Sequence, residues 1–218
     1  MSIGAITAIV LNLLFFHTGG KQGTQVSRAV GKSVSLQQLN GASREEFVSA
    51  LRPLFNNETW PLELAWESRP FGDVNELRAA IQVAVLTADD SRRAALIHDY
   101  PAMDELLLAD ADEAATISAD RGSLGLTDLD DVQTERITEL SAAYRERFDM
   151  PFVAYLDTND TVDRVIDVGV RRLANSPEQE YRTALGEIVE IANDRFDILL
   201  ADANPVRSSW DRKFTEVD

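Results

Sequence analysis

The chain has 218 residues, of which 44% are hydrophobic, and it contains no cysteine and two histidines. This size supports one globular domain once an unusual N-terminal segment is set aside. The lack of cysteine excludes a disulfide scaffold and a thiolate metal centre. The two histidines, His17 and His98, lie far apart in unlike contexts. No metal site is therefore predicted.

The formal net charge is −16 at pH 7 and is unevenly distributed. Residues 33–218 contain 18 basic and 37 acidic residues, and Lys213 is their only lysine. This acidity argues against nucleic-acid binding, because phosphates would be repelled. An acid-rich, lysine-poor surface stays hydrated in concentrated salt, where screening weakens repulsion between like charges. The composition favours a halophilic source; the alternative is an ordinary acidic protein from a GC-rich genome.

Residues 1–35 differ from the rest of the chain. Residues 3–16 form an apolar run, interrupted by Asn12, that is short for a membrane span and lacks the preceding basic residues of an export signal. A Gly/Ser/Thr-rich stretch typical of a flexible linker follows. Three interpretations stay open: a weak anchor or signal remnant, a start codon assigned too far upstream, and a disordered arm. The second is preferred, because the domain pattern begins near Leu36. No membrane association is predicted for the body.

From residue 36 the pattern is helical almost throughout. Ser43 and Glu46 have the spacing of a capping box, and Asp73 opens a helix with apolar residues at three- and four-residue steps. A short helix from about Ser91 and a broken helix after Pro101 are predicted next. The apolar stripe of the helix that begins after Ser43 comprises Phe47, Leu51 and Leu54. The stripe of the helix that begins after Asp73 comprises Val74, Leu77, Ile81 and Val85.

The second half contains three longer helical segments and one extended piece. We predict helices over residues 127–148 and 158–175, and a last helix with Ser176 as its cap and Pro177 in its first position. Residues 152–156, "FVAYL", look extended. The predicted fold is all-α, a compact multi-helix bundle. The helix over 127–148 carries the stripe Val132, Ile137, Leu140 and Tyr144, and Tyr144 and Trp60 are assigned to the core.

Five segments together resemble one known enzyme family. They are "LNGASREEFVSALRPLFNNETW", "ESRPF", "AALIHDYPAM", "LSAAYRERFDMPFV" and "RRLANSPEQEYRTALGEIVEIANDRF". In wording and order they resemble the 2-oxo-4-hydroxy-4-carboxy-5-ureidoimidazoline (OHCU) decarboxylases over about residues 36–202, which leaves 203–218 as a tail. The resemblance implies a helical, cofactor-free, cytoplasmic and usually homodimeric enzyme of urate breakdown. Such an enzyme removes carbon dioxide from its small anionic substrate, OHCU, to give (S)-allantoin.

The resemblance also implies the residues of the site. An ungapped match at Pro101 places the family histidine on Tyr100, and a Glu-Gln pair about twenty residues later falls on Asp120 and Arg121. The arginine of the last helix falls on Arg195. The segment that embraces the substrate falls on residues 152–156, just after Asp149 and Met150 replace the family's usual Gly and Phe. The implied substrate-binding residues are Pro101, Arg121, Phe152, Val153 and Ala154.

The replacement of the histidine by Tyr100 matters most for chemistry. An unperturbed phenol titrates at about 10 and an imidazole at about 6.5, so tyrosine is a poorer proton shuttle at neutral pH. Asp120 also ends one methylene short of a glutamate. In one interpretation the protein is still a carboxy-lyase, with Arg195 holding the substrate while Tyr100 and Asp120 manage the proton. In the other it is a non-catalytic homologue that binds a small anion or a protein partner.

His98 has two interpretations of its own. It is catalytic only if the register shifts by two residues, and two positions apart on a helix point in very different directions. Otherwise it lies near a helix end, where it is hydrogen-bonded or solvated. We expect Tyr100, Asp120 and Arg195 to converge on one cavity beside residues 152–154, with His98 pointing elsewhere.

Overall fold

A computed structural model of the protein describes residues 34–56, 58–104, 129–155 and 160–200. These ranges contain eight α-helices, one short 3-10 helix (Arg52–Phe55) and no strand, which confirms the all-α prediction. The helices are α1 (Leu36–Gly41), α2 (Arg44–Leu51), α3 (Trp60–Trp66), α4 (Val74–Thr87), α5 (Asp90–His98), α6 (Asp131–Phe148), α7 (Val162–Arg172) and α8 (Pro177–Leu199).

Side-chain caps explain where several helices begin. The Ser43 hydroxyl accepts from the backbone amide of Glu46, and the Glu46 carboxylate accepts in return from the backbone amide of Ser43 at 2.9 Å. The predicted capping box is therefore confirmed. Asp73 caps α4 as predicted. The Asp130 carboxylate caps α6 by accepting from the Gln133 amide at 2.7 Å. The predicted helix over 127–148 is therefore wrong at residues 129 and 130, because the cap residue lies outside the helix.

The chain divides into two compact units. Among the described residues, the middle unit comprises 97–104, 129–155 and 160–187, and the flanking unit comprises 34–56, 58–96 and 188–200. Both α5 and α8 are shared between the units.

In the middle unit, α6 and α7 pack around one apolar cluster. Tyr144 is fully buried there, as predicted. Val132, which belongs to the apolar stripe of this helix in the sequence, is 64% exposed. It lies in the first turn of α6, ahead of the part of the helix that faces the cluster. The cluster consists of Met103, Ile137, Leu140, Tyr144, Phe152, Val162, Val165 and Ile166.

In the flanking unit, two arginine side chains make polar contacts with helices. Arg69 Nη1 donates to the carbonyl oxygens of Leu39, Asn40 and Ala42 at the end of α1, which satisfies groups that the helix leaves without partners. Between α4 and the second half of α8, Arg78 pairs with Asp197 at 2.5 Å. The Trp60 side chain, assigned to the core from sequence, is only half-buried.

No helix within the described ranges is both long and apolar enough to span a membrane. The predictions for the N-terminal arm and the C-terminal tail fall on residues 1–33 and 201–218, which lie outside the described residues.

Candidate active site

The segment that follows α5 carries the predicted proton-handling residue. The Tyr100 amide donates to the Ile97 carbonyl at 3.1 Å, which closes the end of the helix. The Tyr100 and Pro101 side chains are half-buried, and the next two residues, Ala102 and Met103, are each 4% exposed. His98, the last residue of α5, is exposed. An exposed position fits a solvated histidine at a helix end better than a catalytic one.

An ion pair fixes the end of the same segment. Both carboxylate oxygens of Asp104 accept from Arg145 on α6, at 2.9 and 3.0 Å. Burial opposes ionisation of Asp104, yet the hydrogen bonds and positive charge of Arg145 prevail, so the pKa of Asp104 lies below its usual value. The bidentate geometry ties the residues after Tyr100 to α6.

The predicted substrate-embracing segment is held from its backbone. Arg172 Nη1 donates to the Val153 carbonyl at 2.9 Å, and the Tyr155 amide donates to Glu187 Oε2 at 2.7 Å. Phe152 and Val153 are 1% and 2% exposed, and Ala154 is half-buried. Residues 151–155 form neither helix nor strand. Side chains from α7 and α8 thus bind two backbone groups of this segment.

A buried polar network supports Arg172. Glu180 is fully buried, and its Oε1 accepts from Arg172 Nε at 2.9 Å and Nη2 at 2.5 Å. Asn175 Nδ2 donates to Glu180 Oε2 at 2.7 Å, and the Tyr144 hydroxyl donates to Oε1 at 3.3 Å. Burial raises the pKa of Tyr144, and the negative charge of Glu180 adds to the rise. The phenol therefore stays protonated and remains a donor to this network.

Gly169 permits the close approach of α7 to its neighbours. A Cβ at this position would lie 2.4 Å from Leu140 Cδ2 and 3.0 Å from Phe152 Cζ. Real Cβ atoms essentially never come as close as the first of these distances, so only glycine fits without a shift of the Leu140 side chain. The glycine therefore helps to place Phe152, the first residue of the predicted substrate-embracing segment.

Arg195 lies in the flanking unit, on the second half of α8. Its Nη1 donates to the Asn56 side-chain oxygen at 2.9 Å and to the carbonyls of Pro53 and Leu54 at 3.2 and 3.4 Å. The side chain is half-buried. Asn56 has φ 55° and ψ −98°, a conformation that L-residues rarely adopt. The guanidinium is thus held by acceptors that end the 3-10 helix.

The model of the OHCU decarboxylase family matches residues 40–197 of this chain. The chain belongs to the OHCU decarboxylase family. It is 37% identical over 164 residues to the OHCU decarboxylase of Haloferax volcanii, covering 74% of this chain and 94% of that protein. It is 32% identical over 181 residues to that of Mus musculus, covering 80% and 98%.

A crystal structure of (S)-allantoin synthase matches the fold with a TM-score of 0.59 at 22% identity. The match covers 77% of this chain and 54% of that one, so the chain spans about half the length of the solved protein. The likeness supports the all-α fold.

One departure from the family pattern has a structural consequence. Asp149, at the position of the family's usual glycine, has φ 56° and ψ 35°, and its amide donates to the Arg145 carbonyl at 3.1 Å. This left-handed conformation at the end of a helix favours glycine. The backbone geometry that a glycine suits is thus present, although an aspartate occupies it.

Several predicted site residues fall outside the described ranges: Asp120, Arg121 and Leu156. The convergence of Tyr100, Asp120 and Arg195 on one cavity therefore stays a prediction. Within the described residues, no group of three or more histidine, aspartate or glutamate side chains could hold a metal ion.

Three residues of the polar network behind the segment 153–155 are not among the site residues predicted from the sequence: Arg172, Glu180 and Glu187. A signal was present, because Arg172 lies three residues after Gly169 and seven after Val165, on the buried face of α7. A charged residue at such a position needs a buried partner. Identifying that partner as Glu180 requires the packing of α8 against α7, which periodicity does not give.

Proposed function

We propose that the protein decarboxylates OHCU to (S)-allantoin in urate breakdown, as a carbon–carbon lyase without a cofactor. Membership of the OHCU decarboxylase family supports this function, since relatives with this name align over nearly their whole length. In the reaction the bond between the ring carbon and its carboxylate breaks and carbon dioxide leaves. The electron pair is delocalised into the neighbouring carbonyl or imine. A proton is then added to one face of the resulting enol-like intermediate, at the ureido-bearing carbon, while the hydroxyl on the carbon that lost carbon dioxide becomes a carbonyl.

Three side chains divide this work in the proposed mechanism. Arg195 pairs with the anionic substrate, because a guanidinium binds a carboxylate through charge-assisted hydrogen bonds. Tyr100 donates a hydrogen bond to the charge that develops as carbon dioxide leaves, and Asp120 helps to deliver the proton. Pro101, Arg121 and the backbone of residues 152–154 line the substrate. His98, which is exposed, has no part in this scheme.

The orientation of Arg195 carries most weight in favour of an active enzyme. The three oxygens within 3.4 Å of its Nη1 fix the guanidinium before any ligand binds. A pre-oriented arginine reduces the entropy lost on binding an anion. It is also the one polar site residue in which this chain keeps the family's side chain.

The test is the purified protein supplied with enzymatically generated OHCU, with the appearance of (S)-allantoin followed by circular dichroism. Arg195→Ala should lose about 2–5 kcal/mol of transition-state stabilisation, at least a roughly 30-fold drop in kcat/KM. Arg182→Ala is the matched control, since it removes an exposed arginine from the same helix. Allantoin that forms no faster than without protein would reject the function and favour the alternative, a non-catalytic anion-binding homologue.

We also propose that the protein works as a cytoplasmic homodimer in concentrated salt. The excess of acidic residues and the scarcity of lysine support the salt requirement. Thermal unfolding measured from low to multimolar potassium chloride should give a Tm that rises steeply with salt. A Tm independent of salt would reject a halophilic adaptation, and light scattering at the same salt concentrations would test the dimer.

A further inference from the structure

Two charged side chains bind backbone groups of the segment 153–155. Arg172 donates to the Val153 carbonyl at 2.9 Å, and Glu187 accepts from the Tyr155 amide at 2.7 Å. The two side chains are themselves paired, with Arg172 Nη1 3.3 Å from Glu187 Oε1. A carbonyl and an amide on either side of Ala154 are thus turned toward one ion pair. We name Arg172 and Glu187 the backbone clamp.

The backbone clamp rests on a rigid base. The Arg172 side chain is 10% exposed, and its Nε and Nη2 are both committed to the fully buried Glu180. Its guanidinium carbon also lies 5.2 Å from the centre of the Phe152 ring. Because the guanidinium is planar and is held on three sides, Arg172 cannot swing away without depriving the buried Glu180 carboxylate of its positively charged partner. Glu187, whose side chain is 26% exposed, forms the outer half of the clamp.

We propose that Arg172 and Glu187 are positioning residues for decarboxylation, which set the backbone of residues 153–155 in the conformation that receives the substrate. The inference rests on the proposed function, which places residues 152–154 against OHCU. Neither side chain needs to touch the substrate. Since residues 151–155 form neither helix nor strand, no ladder of backbone bonds fixes them, and the clamp supplies that order. A displacement of about 1 Å in a substrate-positioning group can cost roughly 100-fold in rate.

Glu187 is the informative residue to replace. Substitution of Arg172 would leave the buried Glu180 carboxylate without its main partner, and the variant could fail to fold. Glu187→Ala removes the acceptor of the Tyr155 amide at a partly exposed position. Glu187→Gln removes the negative charge but keeps an amide oxygen that can accept from Tyr155. Comparing the two separates the backbone hydrogen bond from the ion pair.

The experiment measures kcat and KM for OHCU, together with Tm, for the wild type and each variant. Glu187→Ala should raise KM about fivefold or more and lower kcat/KM by about 10- to 100-fold. Glu187→Gln should restore kcat/KM to within about threefold of the wild type, because the Tyr155 amide again has an acceptor. Arg136→Ala is the control, since it breaks two exposed ion pairs, with Asp163 and Asp167, elsewhere in the middle unit. It should lower Tm comparably and leave KM unchanged.

The outcomes distinguish a failure of the backbone clamp from a failure of the decarboxylase function. A merely structural role for Glu187 would lower the folded fraction, which reduces apparent kcat but leaves KM as it was. Wild-type KM in Glu187→Ala, or a glutamine variant as impaired as the alanine variant, would overturn the backbone clamp and leave the decarboxylase function intact. An inactive wild type would overturn the proposed function, and the clamp with it.

Discussion

Two helical glycines of the middle unit should respond in opposite ways to the same substitution. A Cβ at Gly169 would lie 2.4 Å from Leu140 Cδ2 and 3.0 Å from Phe152 Cζ, whereas a Cβ at Gly186 meets nothing within 4 Å. Alanine stabilises a helix interior by about 0.8–1 kcal/mol relative to glycine. Overpacking of a filled core costs about 1–3 kcal/mol. Gly169→Ala should therefore lower the unfolding free energy by up to about 2 kcal/mol, while Gly186→Ala should raise it by up to about 1 kcal/mol.

Urea unfolding at fixed salt, followed by circular dichroism, measures both changes against the wild type. The pair is internally controlled, since the backbone effect of Gly→Ala is common to both sites and only the neighbours differ. Gly169→Ala should also impair decarboxylation, because the clash reaches Phe152 at the start of the predicted substrate-embracing segment. If both variants gained stability equally, the close packing of α7 against Leu140 and Phe152 would be refuted.

Three further predictions concern α6 and the proton-handling residues. Asp149→Gly should stabilise the protein by about 1 kcal/mol in the same unfolding assay, since its left-handed backbone favours glycine; an unchanged or lower value would contradict this. The pKa of Asp104 is lowered in the folded state, so its ionised carboxylate stabilises the folded protein. This stabilisation is complete above the unfolded-state pKa of about 3.9 and is lost as the pH falls through the folded-state pKa. The stability difference between wild type and Asp104→Asn should thus shrink in acid, and a constant difference from pH 7 to pH 2 would refute the role of Arg145. Tyr100→His combined with Asp120→Glu should raise decarboxylation if activity is attenuated, and circular dichroism showing no gain would indicate a site rebuilt for something else.

Local structure was predictable where the interacting residues lie close together in the sequence. The capping pair Ser43 and Glu46 lies within four residues, and the stripe Leu77, Ile81 and Val85 needs only the period of a helix. The predicted start of α6 is too early, because the four residues before the helix continue the helical pattern in the sequence. The Asp130 carboxylate accepts from the backbone amide of Gln133, and the helix therefore begins at Asp131. Whether a helix begins with the helical sequence pattern or at a capping residue depends on a side-chain hydrogen bond, which composition does not reveal.

The candidate site was predictable only as a set of positions. Resemblance to the family placed Tyr100, Asp120 and Arg195 along the chain, yet the acceptors that hold Arg195 come from residues about 140 positions away. Such pairings depend on how helices pack and have no counterpart in local periodicity. Asn56 illustrates the limit, since its unusual backbone conformation and its bond to Arg195 are properties of the folded chain alone.

The buried pair of Arg172 and Glu180 requires a reason other than stability. Well-packed apolar side chains of similar volume often stabilise a core as well as a buried ion pair does, because the charges must first be desolvated. Such apolar side chains could not donate to the Val153 carbonyl, nor could they orient Glu187 toward the Tyr155 amide. Directional hydrogen bonds to an irregular segment are what this ion pair adds beyond packing. The retention of charge at this depth is therefore better explained by the placement of residues 153–155 than by the free energy of folding.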